Sequence, residues 1–228
     1  MKKIYINIAT INNFNEVLNY LLNKINESGL YDECYNIYLV VNGDASLLKI
    51  DKKEKYVVYN ANKTTDVVEF PSLHLLWFHS NEIIDEDYNI LYLHTKGVTK
   101  PNSNPVKDWV EYMSYFNIEK WQDRIIDLKN YDTTGVNLSG KVEDYNKNPE
   151  TWGYTKAPLH YSGNFWWSKS SYIKNLPNPY SWKPDNDYLK WRVMCEMWLC
   201  QNKGNFYNTF SSGINHYTTE YPRSNYIS

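Results

Sequence analysis

The first 44 residues constrain the fold most. Ile4, Ile6 and Ile8 alternate with Tyr5 and Asn7, which predicts a strand over residues 4–10 that enters the core at once. Phe14, Val17, Leu18, Leu21, Leu22 and Ile25 then recur at helical spacing, with Asn12 and Asn13 as caps and Ser28-Gly29 as the stop. Residues 36–41 (NIYLVV) read as a second apolar strand, closed by Asn42-Gly43-Asp44. Two strands joined through one amphipathic helix form a β-α-β unit, whose expected arrangement is a parallel pair with a right-handed crossover.

The alternation continues along the chain. Residues 55–59 predict a strand, 67–80 a helix despite Pro71 near its start, and 89–93 (NILYL) a buried strand ending at His94-Thr95-Lys96-Gly97. After a loop marked by Pro101 and Pro105, one long amphipathic helix is expected to turn Val106, Trp109, Val110, Met113, Phe116, Trp121, Ile125 and Leu128 inward. Residues 134–138 read as a strand, 139–158 as a long polar excursion, 161–167 as a strand or bend, 188–201 as a helix and 205–210 as a last short strand. The expectation is one α/β domain over 1–228: a Rossmann-type sandwich with a mixed, mostly parallel central sheet flanked by helices.

Composition narrows the function classes. A chain of 228 residues with 42% hydrophobic content buries a substantial core. Its 24 basic against 26 acidic residues exclude a generally cationic nucleic-acid coat. Cys34, Cys195 and Cys200 make neither a disulfide framework nor a zinc spacing, so a reducing, cytoplasmic setting is expected. No apolar stretch reaches the ~7–15 residues of a signal sequence or the ~20 of a membrane span. The aromatic share of 17% suits stacking platforms for sugars or bases, but 21 Lys against 3 Arg, with 29 Asn, is the skew that AT-rich codons favour. Neither a GxxxxGK[ST] phosphate loop nor a GxSxG nucleophile elbow is present.

In open α/β sheets ligands bind beyond the carboxyl ends of the strands. The ends at Ala9-Thr10-Ile11, Asn42-Gly43-Asp44, Tyr59-Asn60 and His94-Thr95-Lys96-Gly97 are therefore the candidate site, and the last places two polar heads beside a glycine. Plain turn chemistry also accounts for Asn42-Gly43-Asp44, and an ordinary solvated loop for residues 94–97.

The order of IYINIATINN, SGLYDECYNIYLVVNGD, ILYLHTKG, HYSGNFWWSKSSYIKNLP and INHY resembles small GT-A glycosyltransferases of bacterial and viral polysaccharide synthesis, the rhamnan-synthesis-like type included. The resemblance implies a GT-A-like sandwich in which 1–97 binds a nucleotide-diphosphate sugar and 98–228 faces a glycan acceptor. It also implies an acidic DxD after the fourth strand to hold Mn2+ or Mg2+. Here that position reads His94-Thr95-Lys96. Positive side chains are then expected to offset the leaving diphosphate, with Lys96 foremost and His94, His216 and Arg223 as further donors. The expected transfer is inverting and metal-independent or weakly metal-dependent, any metal falling to His94 and His216 with the diphosphate.

The same resemblance assigns Gly163 and Asn164 to the donor loop, His216 to the diphosphate, Glu196 to the catalytic base and Asp187 to second place in that role. Thr10, Asn42, Asp44 and Glu69, with Ser72 behind them, are the candidates for base and ribose. Trp166, Trp167 and Arg223 are the acceptor candidates, one of the two adjacent tryptophans being expected in the core because strand neighbours face opposite ways. Simpler readings stand beside these. Asp185-Asn186-Asp187 suits a helix N-terminus, Glu196 can pair with Arg192 one turn earlier, Asp85-Glu86-Asp87 is a solvated turn at the wrong sheet end, and His74 and His79 are structural. A non-catalytic carbohydrate- or nucleotide-binding domain is the alternative function.

Overall fold

The computed structural model describes residues 1–82, 87–141, 157–182 and 188–227. β1 (Lys2–Ala9) leads through α1 (Phe14–Glu27) and the short α2 (Leu30–Glu33) to β2 (Asn36–Asn42). β3 (Tyr56–Asn62), α3 (Phe70–Glu82) and β4 (Asn89–His94) follow. α4 (Asn104–Ser114), a π-helical turn (Tyr115–Glu119) and α5 (Trp121–Asp127) precede β5 (Thr133–Gly135) and β6 (Leu138–Ser139). The chain continues through β7 (His160–Tyr161), β8 (Trp166–Lys169), α6 (Ser170–Lys174), α7 (Tyr188–Met197) and β9 (Phe206–Asn208).

Seven strands form one sheet in the order β3-β2-β1-β4-β8-β5-β9. Neighbours pair in parallel except β8, which runs antiparallel to both β4 and β5. The β4–β8 pairing joins the two sequence halves in a single sheet. This is the expected Rossmann-type α/β sandwich with a mixed, mostly parallel sheet.

Strand alternation divides the core between two faces. Ile4, Ile6, Ile8, Leu39, Leu91, Leu93 and Trp167 pack against α1, α4 and the π turn. Tyr5, Val40, Ile90, Tyr92 and Trp166 pack with Phe70, Leu73 and Leu76 of α3 and with Trp198 on the other face. Trp166 and Trp167 are therefore both buried, at 1% and 0% exposure. One tryptophan was expected to remain available to a sugar, but helices cover both faces of β8 and neither is an acceptor platform. Truncating a buried tryptophan of this kind to alanine costs about 3–5 kcal/mol.

The long helix expected over residues 106–128 is interrupted. In the π turn the Lys120 N–H bonds the Tyr115 carbonyl, five residues back. The Asn117 carbonyl there accepts the Trp167 indole N–H at 2.7 Å, so a buried donor from β8 is satisfied where the helix departs from regularity. A second departure is α6, where Asp87 accepts from Ser170 Oγ, Ser171 N and Ser171 Oγ. Asp87 is exposed, as expected, and also supplies a cap from a distant segment; Asp85 and Glu86 lie outside the described residues. So do Asp185 to Asp187 and residues 142–156 of the predicted excursion. The predicted strand 134–138 is split, because Asn137 takes a left-handed φ of 52° between β5 and β6.

The first strand ends are locked to each other. The Asp44 N–H donates to Thr10 Oγ1 at 2.9 Å, and that hydroxyl donates to the Asn42 carbonyl at 3.4 Å. Between them Gly43 has φ 109°, and a Cβ there would lie 2.0 Å from Thr10 Oγ1. Gly43→Ala is expected to lower stability by about 2 kcal/mol, through the left-handed backbone and loss of the Thr10 bridge. Denaturant unfolding of the variant checks this, and unchanged stability would contradict it.

Candidate functional site

The order of strands reverses between β1 and β4: β2 and β3 lie on one side of β1, and β4 continues the sheet on the other. A crevice of about 80 Å³ opens at the carboxyl ends there, lined by Asn7, Ala9, Glu69, His94, Lys96 and Arg192 among others. This is the switch point at which open α/β sheets bind ligands.

A buried polar layer builds its floor. Asn7 replaces an apolar residue near the end of β1, and its Oδ1 accepts from Asn42 Nδ2 at 2.8 Å and Ser72 Oγ at 2.7 Å. Asn42 Nδ2 also donates to the Val68 carbonyl at 3.1 Å. Val68 has φ 49°, a region that costs a β-branched residue about 1–3 kcal/mol, and the Asn42 bond helps hold it there. The next residue, Glu69, turns its carboxyl inward. Glu69 Oε2 accepts from Tyr92 OH and Asn164 Nδ2, both at 2.7 Å, and Oε1 lies 3.9 Å from His94 Nδ1. Burial pushes the Glu69 carboxyl up from the usual carboxylate range, and its two hydrogen bonds only partly oppose this.

His94 completes the layer. Its Nε2 lies 2.9 Å from the Gly163 carbonyl, which fixes Nε2 as the protonated nitrogen of the neutral ring. Burial first, and then the Lys96 charge, pull its pKa down to about 3. Gly163 and Asn164 both have positive φ, at 95° and 59°. A Cβ on Gly163 would meet Met113 Sδ at 2.4 Å and the Trp109 ring at 3.0 Å, so the loop comes this close only as glycine.

Lys3 and Lys96 are the buried lysines among the described residues, and Lys96 is the one at this crevice. It is 4% exposed, and its ammonium forms no hydrogen bond or ion pair among the described residues. Its ammonium sits 3.8 Å from the centroid of the Trp109 ring. Burial lowers its pKa; Glu196 is the largest opposing influence, followed by Glu69, while Arg192 adds to the lowering. The geometry thus gathers Lys96, Arg192, Glu69 and Glu196 within electrostatic reach of one another. Arg192 and Glu196 form no ion pair among the described residues, so the simpler pairing within α7 is not what holds Glu196.

The other expected residues take varied places. Thr10 and Asp44 are at the β1–β2 corner, where Asp44 accepts from Ser46 N at 2.9 Å and Ser46 Oγ at 2.7 Å. Those bonds hold its carboxyl below the usual range. Asn42 is fully buried. His216 is 3% exposed, stacked on Trp109 with 5.3 Å between ring centroids, and its Nε2 meets Ser212 Oγ at 2.8 Å. Burial and Lys96 lower the His216 pKa to about 4. His94 and His216 were expected to contribute positive charge; at neutral pH both rings are uncharged, because burial opposes their protonation. Arg223 is likewise not a free acceptor ligand: its guanidinium makes two bonds to Glu119, at 2.7 and 2.6 Å, and fastens the tail to the π turn. Asp187 lies outside the described residues.

A divalent cation of the kind the resemblance implies meets no suitable ligand set: among the described residues no three His, Cys, Asp or Glu side chains cluster. His94 is engaged by Gly163 and faces Glu69, and His216 is engaged by Ser212. One nitrogen of each ring is thus already taken by the protein.

Sequence reasoning did not assign Asn7, Tyr92, Arg192 or Trp109 to the site; Arg192 entered only as a partner for Glu196, and Trp109 only as core. Asn7 had a signal, being a polar residue inside an otherwise apolar strand. Trp109 had none, since helical spacing marks it as core. No protein-family model matches this chain, and no curated protein matches it in sequence. Among the described residues, no helix is long and apolar enough to cross a membrane.

The neutral imidazoles make stability depend on pH. His79, whose Nδ1 lies 2.9 Å from Tyr5 OH, has a pKa of about 4 through burial and then Lys3. For His79, His94 and His216 the folded pKa lies below the unfolded value of ~6.5, so their stabilisation is present above that pH and is lost on acidification. Glu69, raised by burial, acts in the opposite sense over the same window. His74, also lowered by burial, adds to these three against the one carboxyl, so stability at pH 5 is expected below that at pH 7, His79, His94 and His216 each contributing about 1–2 kcal/mol. Denaturant midpoints at the two pH values check this, and His79→Gln should narrow the gap.

Proposed function

We propose that the protein is a glycosyltransferase that moves a sugar from a nucleotide-diphosphate donor to a glycan acceptor. The observation that carries this reading is a buried lysine at the sheet's switch point that forms no ion pair among the described residues, with a second cation, Arg192, beside it. Two cations gathered in a narrow, partly dehydrated crevice suit a diphosphate, whose charge grows as it leaves. A crevice of about 80 Å³ admits a phosphate-sized group, with sugar and base extending beyond it.

The sugar would lie between this crevice and a neighbouring groove of about 450 Å³. Trp109, Asn137, Ser139, Ser162, Ser212 and His216 are among the groove's lining residues. Hydroxyls and amides match the surface of a polyhydroxylated acceptor. Glu196, whose charge acts on Lys96 and His94, is the general base. It takes the acceptor hydroxyl proton as that oxygen attacks the anomeric carbon and the bond to diphosphate breaks on the opposite face, which inverts the configuration. Glu69 and His94 position the crevice wall and make no bond to the reacting atoms. Three free, buried thiols support a cytoplasmic setting.

A panel of nucleotide-diphosphate sugars, followed by thermal stabilisation and slow donor hydrolysis, tests the class. Stabilisation by a donor together with hydrolysis upholds it; stabilisation by oligosaccharides or nucleotides without turnover indicates a binding domain. Lys96→Ala is expected to weaken donor binding by about tenfold to a hundredfold, the equivalent of one charge-assisted contact. Glu196→Gln is expected to reduce turnover by at least about a hundredfold at unchanged donor affinity. Near-normal turnover in Glu196→Gln would remove it from the mechanism.

A further inference from the structure

Lys96 also lines a second cavity, of about 350 Å³, between the start of α1 and the first turns of α4. This volume lies within the range of small-molecule pockets. Val17, Tyr20, Val106 and Val110 supply apolar walls. Lys100 and Lys107 stand at the same cavity.

The charges there are not balanced against one another. Lys96, Lys100 and Lys107 form no ion pair among the described residues; Lys96 and Lys100 lie only against aromatic rings, the latter 4.9 Å from that of Tyr217. The carboxylates of the cavity are each engaged elsewhere. Asp108 Oδ2 accepts from the Tyr221 N–H at 2.9 Å, Glu111 lies 3.6 Å from Arg223, and Glu16 accepts from Asn13 Nδ2 at 3.3 Å in the first turn of α1. There the helix dipole also favours a negative charge. Three unpaired lysines thus surround an apolar space, and one of them is more than nine-tenths buried.

We infer that this cavity binds an amphiphilic anion, its phosphate or carboxylate head held by Lys96, Lys100 and Lys107 and its apolar body lying along Val17, Tyr20, Val106 and Val110. Each half of such a ligand matches a feature of the site. The head meets lysines that form no ion pair among the described residues, and the body lies against apolar side chains of the cavity wall. The inference does not depend on glycosyl transfer, although the shared Lys96 places the two sites on either side of one ammonium.

Titration calorimetry of the full chain with octyl phosphate, below its micelle concentration, tests this, with inorganic phosphate and octanol as the two half-ligands. Saturable binding of octyl phosphate is expected, at least tenfold tighter than either half. The double variant Lys100→Ala, Lys107→Ala is expected to weaken it at least tenfold while keeping the wild-type thermal midpoint, since both lysines are exposed. Binding of inorganic phosphate or octanol as tight as that of octyl phosphate would overturn the inference, as would absent binding or affinity unchanged in the double variant. Competition with vesicles containing phosphatidic acid separates the two sources of such an anion. Displacement of vesicle-bound protein by octyl phosphate assigns a lipid head group, and octyl phosphate binding without vesicle binding assigns a soluble amphiphile. Both results uphold the chemistry. Because nucleotide-diphosphate sugars are absent from the experiment, its failure leaves the transferase reading untouched, and the converse also holds.

Discussion

A carboxyl group removed from water must be neutral or well bonded, and Glu69 organises the site around that requirement. It lies one residue before α3, and its Oε2 takes hydrogen bonds from β4 through Tyr92 and from the loop before β8 through Asn164. His94 closes the other side. Three segments distant in sequence are thus held in one arrangement by a group whose desolvation is costly if any partner withdraws. The crevice above it inherits that rigidity. Pre-organised walls matter for charge stabilisation, because dipoles already aimed need no rearrangement during reaction.

The electrostatics around this layer are sparse rather than dense. Neutral rings at His94 and His216 leave Lys96 and Arg192 as the cations at the crevice, and Glu196 as the principal counter-charge to Lys96. Removing water from Lys96 lowers its basicity, and an incoming anion reverses that shift by supplying the missing partner. A cation stored against an indole face, with its counter-charges at a distance rather than in an ion pair, is therefore suited to binding and releasing anions, whereas a tight internal salt bridge would compete with them.

Much of the fold was legible. The β-α-β opening, the buried NILYL strand and the shift from period two to period 3.6 follow from the spacing of apolar residues. The opposed orientations of Trp166 and Trp167 were also legible; the cover over both faces was not, because it depends on helices remote from β8. The π turn escaped notice since its explanation, the Trp167 indole on the Asn117 carbonyl, joins residues fifty apart. α6 escaped because its cap is Asp87, more than eighty residues away. Lys96, Glu69, Gly163, Asn164 and Glu196 were singled out from the sequence, but the neutrality of the histidines was not legible there, since burial sets it.

By itself, then, the sequence determined the secondary-structure alternation, the parallel character of the first strands and the strand ends at which polar groups collect. Those are properties of local periodicity and of chain connectivity, and they need no knowledge of distant neighbours. Tertiary structure alone decided which polar groups lost their water, which found partners and which were left charged and unpaired. Desolvation and hydrogen bonding are set by atoms brought together from far along the chain, so Lys96 became a candidate ligand-binding cation while Arg223, equally basic in the sequence, became a clasp for the tail.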